Sequence, residues 1–189
     1  LVPIRPIVEP AMTLHSQPAK ATALERLDGY ARIIIDDSGM KRGDTLIVIS
    51  NSGINAVPVE MAMGCGKLGI TVIAITSVRH SATQSSRHAS GKRLFEAADI
   101  VIDNCGGPGD AAVETSACPV KIGPMSTLAG IAIVNAISAG VVGKLHEIGI
   151  EPPVMVSSNM AGGDAHGTQW EEAFAHPGAA RSLVGPGGR

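Results

Sequence analysis

The stretch Asp44–Glu60, DTLIVISNSGINAVPVE, constrains the fold more than any other part of the chain. Thr45–Ile49 is a run of β-branched and apolar residues, the pattern of a strand buried on both faces. Ser50, Asn51, Ser52 and Gly53 then break into a turn, where Gly53 can take a positive φ that strains other residues. A helix is expected next, with Pro58 at its first position, because proline lacks the N–H that would go unpaired there. Strand, Ser/Gly turn and helix start in that order leave backbone N–H groups and two hydroxyls converging beside the positive end of a helix dipole. Such a volume suits an anion, most simply a phosphate.

The remaining chain alternates in the same way. Val2–Val8 reads as a short edge strand interrupted by Pro3 and Pro6. Apolar residues Leu24, Leu27, Ala31, Ile34 and Ile35 fall at helical spacing over 22–37, with Gly39 as a stop. The helix from Pro58 ends near Leu68–Gly69, and Ile70–Ile75 is a second apolar strand ending in Thr76–Ser77. After a polar loop, 79–90, a short helix is expected over 92–98, a third strand over 99–102, and a Gly-rich acidic loop over 103–114. Pro124–Ile148 is the longest helix, interrupted by Asn135 and Ser138 and rich in Ala and Gly. It reads as a closely packed buried helix, with a subunit contact on part of it, rather than as a membrane span. Val154–Val156 is the last expected strand, and 173–189 is expected to be a disordered tail. Alternating strands and helices point to an α/β fold with a mainly parallel sheet covered on both faces.

At 189 residues the chain is long enough for one full core, here residues 1–172. With 44% hydrophobic but only 2% aromatic residues, that core must be built from Val, Ile, Leu, Ala and Met. A net charge of -2 and no basic run argue against a nucleic-acid surface. Cys65, Cys105 and Cys118 form neither a disulfide framework nor a zinc signature and favour a reducing cytoplasm. The chain lacks an initiator Met and opens inside the apolar segment Leu1–Val8, so an N-terminal strand and helices are expected to be missing from it.

Ligands of such sheets lie at the carboxyl ends of the strands, here Ser50–Gly53, Thr76–Ser77 and Asp103–Asn104. Gly64-Cys65-Gly66-Lys67-Leu68-Gly69 matches the dinucleotide pattern G-x-G-x-x-G, but it ends a helix and leads into a strand. Carbonyls rather than N–H groups would then meet a phosphate. Neither NAD nor ATP is supported, and no cofactor is expected.

Val48-Ile49-Ser50-Asn51-Ser52-Gly53-x-Asn55, with Val72–Ser77 some twenty residues on, resembles the sugar isomerase (SIS) domain. The string Ser81-x-x-x-x-Ser86-Arg87-His88-x-Ser90-Gly91-Lys92, with Asp99-x-x-Ile102-Asp103-Asn104 and Gly109-Asp110-Ala111, is similar to the bacterial UPF0309-type SIS proteins. The resemblance implies a three-layer, doubly wound, flavodoxin-like sandwich on a parallel sheet of about five strands. It also implies a phosphosugar at the strand ends and homodimers or homotetramers. Carried over, Ser50, Asn51, Ser52, Gly53 and Asn55 match the phosphate turn, and Thr76, Ser77 and Ser81 the second loop. Asn55 stands where many members have Thr.

Aldose–ketose isomerisation needs a base for a carbon-bound proton and an acid for ring opening. Glu60, in the first turn of the anion-site helix, and Glu114, in the acidic loop, are the carboxylate candidates. His88 gains from its neighbour Arg87 as an anion contact. Asp164-x-His166 is too short to name a metal, and none is expected; the resemblance makes His166 a catalytic candidate. The expected function is a cytoplasmic phosphosugar-binding protein, an aldose–ketose-type isomerase. The alternatives are a phosphosugar-sensing module and an amino-sugar-phosphate lyase or etherase.

Overall fold

A computed structural model describes residues 4–13 and 17–173. The chain divides into two compact units, Ile7–Ile133, and Leu1–Pro6 with Val134–Arg189.

The first unit opens with a 3-10 turn, Pro10–Met12, followed by α1 (Pro18–Glu25) and α2 (Tyr30–Ser38). Spacing predicts one helix over 22–37. α1 instead stops at Glu25, with Arg26 as its C-cap, and Gly29, at φ 81°, is the N-cap of α2. Three strands then pair in parallel in the order β1 (Thr45–Ile49), β2 (Thr71–Thr76) and β3 (Ile100–Asp103). Thr45 lies opposite Thr71, and Thr76 opposite Asp103, so the strands end together and bring their following loops to one edge. This is the α/β arrangement with a parallel sheet that the apolar runs predict.

α3 (Ala56–Lys67) crosses between β1 and β2. It begins two residues before Pro58, which still falls within the first turn, where no N–H is needed. Val57, Met61, Ala62 and Cys65 of α3 pack with Leu46, Val72 and Ala74 of the sheet, and with Ala31 and Ile34 of α2. Burial pushes the Cys65 thiol pKa up. Gly64 lets α2 approach closely, since a Cβ there would lie 2.7 Å from Ile35 Cδ1. The G-x-G-x-x-G string thus serves helix packing and, through Gly69 at φ 74°, the turn into β2.

Two short helices follow β2 in sequence, α4 (Val78–Ala82) inside the expected loop and α5 (Leu94–Ala97). Leu94 is fully buried and joins the core. Arg93 and Glu96 form a capping box at α5, and the hydrogen bond from Arg93 holds the Glu96 carboxyl down at about 2. Arg93 also donates to the Ala82 carbonyl at 3.2 Å, which ties down the end of α4.

Beyond β3 the structure departs from expectation. The acidic loop runs into an antiparallel hairpin of β4 (Ala111–Thr115) and β5 (Cys118–Pro124). Gly123, at φ 73°, sits against Val113. The strands expected at 2–8 and 154–156 are not formed among the described residues. Pro6 has no N–H to give a ladder, and the Val154 N–H turns back to the Pro152 carbonyl at 2.9 Å.

α6 (Ser126–Glu147) has the length the sequence predicts, but not the burial. Within the chain only its Gly130 is buried, near Ile49, whereas Leu128 and Ile131 are 62% and 58% exposed. It is the one helix among the described residues long and apolar enough to cross a membrane, with a mean hydropathy of 1.8. α7 (Gly163–Ala173) ends the described chain, and the expected tail lies outside the described residues from 174 on.

Candidate functional site

The turn after β1 is fixed from several sides. Gly53 adopts φ 60°, and a Cβ there would stand 2.9 Å from Leu94 Cβ and 3.2 Å from Thr76 Oγ1, so only glycine fits. Its carbonyl accepts the Leu94 N–H at 2.8 Å. The next carbonyl, of Ile54, accepts the Arg87 N–H at 2.8 Å. Asn55 then occupies the N-cap of α3 without capping it, because its side chain is engaged elsewhere. The Ala56 and Val57 N–H groups are therefore left at the positive end of a 12-residue helix with no side chain to receive them.

The side chains around this turn are oriented by donors that cannot act as acceptors. Arg87 Nη1 donates to Asn55 Oδ1 at 2.8 Å, and a guanidinium has no acceptor, so Asn55 Nδ2 is the end left over. Asn104 Oδ1 accepts the Gly106 N–H at 2.9 Å. Its Nδ2 therefore donates to Asn51 Oδ1, also at 2.9 Å, and leaves Asn51 Nδ2 free to donate. Ser50 Oγ accepts the Gly53 N–H at 3.3 Å and keeps its own hydrogen available. Ser52 Oγ has no partner among the described residues.

These four residues line a cavity of about 410 Å³ with Met12, Ala21, Glu25, Ile49, His80, Gly109 and Asp110. That volume falls within the range of small-ligand sites. Among the described residues no Lys or Arg lines the cavity. An anion there would be received by neutral donors and the dipole of α3, not by a paired cation.

Thr76 and Ser77, expected to contact ligand, are fully buried and act as struts instead. Thr76 Oγ1 donates to the Asn51 carbonyl at 3.1 Å, and Ser77 Oγ donates to the Gly106 carbonyl at 2.7 Å. Both hold loops of the site in place. Ser81 is also fully buried, and its Oγ has no hydrogen-bond partner.

The acids and histidines singled out from sequence are placed as follows. Glu60 takes the Gly29 N–H on both carboxylate oxygens, at 2.8 and 3.0 Å. His88 Nε2 lies 3.6 Å from Glu60 Oε1. His88 Nδ1 meets the Ser90 hydroxyl at 2.7 Å and the Ser90 N–H at 3.2 Å, which holds the ring with Nε2 towards Glu60. Asp28, Glu60 and His88 bring ligand atoms within 4.8 Å of one another. Glu114 projects from the exposed hairpin, where its hydrogen bond with Lys121 at 2.7 Å lowers its pKa. Neither Glu60, Glu114 nor His88 reaches the cavity. His166 belongs to the other unit, where its Nε2 meets the Val154 carbonyl at 2.9 Å.

Glu25, Asp110 and His80 also line the cavity. Asp110 caps α6, accepting the Ser126 N–H at 2.8 Å and its hydroxyl at 2.7 Å from a left-handed φ of 67°. In the sequence Asp110 lies in the Gly-rich acidic loop that follows the third strand, at the carboxyl edge of the sheet. Glu25 is the last residue of α1, just before a helix break that periodicity does not reveal.

A family model described as "SIS domain" matches residues 1–77. A UPF0309 protein of Shouchella clausii is 43% identical over 172 residues, covering 90% of this chain and 70% of the relative. One from Geobacillus thermodenitrificans is 41% identical over 175 residues, covering 92% and 70%. A third, from Listeria monocytogenes, is 39% identical over 166 residues, covering 88% and 67%.

The geometry of the turn makes Gly53→Ala costly. Strain of about 1–3 kcal/mol is expected from the left-handed backbone and the Leu94 contact. Urea unfolding should show a loss of that size, and a change below about 0.5 kcal/mol, the range of ordinary surface substitutions, would mean that the turn is not held as described.

Proposed function

The chain belongs to the UPF0309 family of SIS-domain proteins, and from that premise we propose that it binds a phosphorylated sugar at the Ser50–Asn55 turn and isomerises it. The observation that carries the reading is the uncapped start of α3, beside four side-chain donors that all remain free on a cavity of about 410 Å³. Neutral donors at a helix N-terminus suit a phosphate, and the volume left over suits a sugar. Ser50, Asn51, Ser52, Gly53 and Asn55 hold the phosphate, and Thr76 and Ser77 act through the loops they brace.

The reading includes the SIS architecture, a three-layer sandwich on a parallel sheet of about five strands, of which the described residues form three, within one domain over 1–172. It also places the protein in a reducing cytoplasm, where Cys65, Cys105 and Cys118 remain free thiols.

Assembly into a homodimer or homotetramer completes the proposal. It is supported by the apolar side chains Leu128 and Ile131, which α6 leaves exposed in the single chain. Light scattering should give two or four times the 19.3 kDa of one chain. A single-chain mass at micromolar concentration would refute the assembly.

Calorimetric titration with hexose, pentose and amino-sugar phosphates should give heat with at least one member. Ser52→Ala should then weaken that binding by about 1–3 kcal/mol, the loss expected for one hydrogen bond to a charged group. No heat with any member would sink the proposal, and an unchanged affinity in Ser52→Ala would remove that hydroxyl from the site.

A further inference from the structure

Isomerisation needs a proton acceptor and a proton donor beside the sugar, and most of the candidates are already engaged. Glu60 is bound to Gly29, His88 faces Glu60, Glu114 is paired with Lys121, and Asp110 caps α6. Two titratable side chains on the cavity remain. Glu25, the last residue of α1, is half-buried, and its carboxylate has no hydrogen-bond or ion-pair partner among the described residues. An unpaired carboxylate on a cavity suited to an anion opposes binding of that anion, so packing and affinity do not account for it.

His80 is the other. Its N–H is received by the Ser77 hydroxyl at 3.0 Å, and its Nδ1 accepts the Gly109 N–H at 3.4 Å. In the neutral ring the proton is therefore on Nε2. Arg93, bound to the Ala82 carbonyl, keeps α4 and with it His80 in place.

We propose that Glu25 and His80 form the acid–base pair of this site, Glu25 as the carbon base and His80 as the proton donor to the carbonyl oxygen. This inference rests on the phosphosugar reading above. With the open-chain aldose phosphate held at the turn, the Glu25 carboxylate removes the C2 proton and the C2–H pair forms the C1=C2 bond. The carbonyl π pair moves to O1, which takes the Nε2 proton of His80. A neutral imidazole is an accepted electrophile in this kind of step. The O2 hydroxyl then returns a proton to Nε2 as C2=O2 forms, and C1 takes the proton held by Glu25. One proton has moved from C2 to C1 and one from O2 to O1, with no oxidant or reductant.

The test uses the full chain and whichever sugar phosphate binds the parent protein. Incorporation of solvent deuterium at C1 or C2 is followed by proton NMR, and binding of the same sugar by calorimetry. Glu25→Gln should keep affinity within about threefold or improve it, while slowing exchange by at least about 100-fold. His80→Gln should slow exchange by a similar factor with affinity kept. Thermal melts of both variants matching the parent would show that the fold is intact. Exchange at the parental rate in either variant overturns the pair. So does loss of exchange and binding together, which would make the residue a positioning group. A parent that binds sugar phosphate without exchange overturns the pair and the isomerase while leaving the binding site standing. A parent that binds none overturns the functional reading itself.

Discussion

Asn55 stands at the N-cap of α3 and does not cap it. An asparagine at that position ordinarily takes the first-turn N–H groups of its helix. Here the Arg87 guanidinium holds its side-chain oxygen at 2.8 Å, and the helix start is left open. The surrounding structure depends on this arrangement. Gly53 must be glycine for the chain to turn beside Leu94, and the Gly53 and Ile54 carbonyls hold the Leu94 and Arg87 N–H groups, which keeps Arg87 over the turn. The cavity lies beside that open start, and because its side-chain donors carry no positive charge, the favourable field for an anion there is that of the helix dipole.

Rigidity at this site comes from residues that do not face the cavity. Thr76, Ser77 and Asn104 link the loops after β1, β2 and β3 through side chain-to-backbone and amide–amide hydrogen bonds. Parallel pairing in register is what makes those loops neighbours. Polar groups so placed fix the orientation of the donors that do face the cavity, which is how a flexible Ser/Asn turn can be preorganised.

Much of this was legible in the sequence, and the misses have physical causes. The three parallel strands and α3 follow from apolar runs and their Ser/Gly breaks, and the G-x-G-x-x-G string lies at the helix end expected from its position. Gly64 shows what that string is for, since α2 leaves no room for a Cβ there. Residue type alone could not tell a ligand contact from a strut, because Thr76 and Ser77 offer the same hydroxyls in either role. Periodicity ran through residues 26–29, where the expected helix breaks directly after Glu25, a residue that lines the cavity. The hairpin Ala111–Pro124 was hidden by glycines that read as loop, and the burial expected of α6 is not provided within the chain.

The central claim is that a phosphate is received by the open start of α3. It is tested most directly by following backbone amide resonances while a bound sugar phosphate is titrated into isotope-labelled protein. The account predicts that the Ser52, Gly53, Ala56 and Val57 amides shift together, and that the same set responds to inorganic phosphate at higher concentration. Saturable shifts confined to other residues, with these four unmoved, would contradict it.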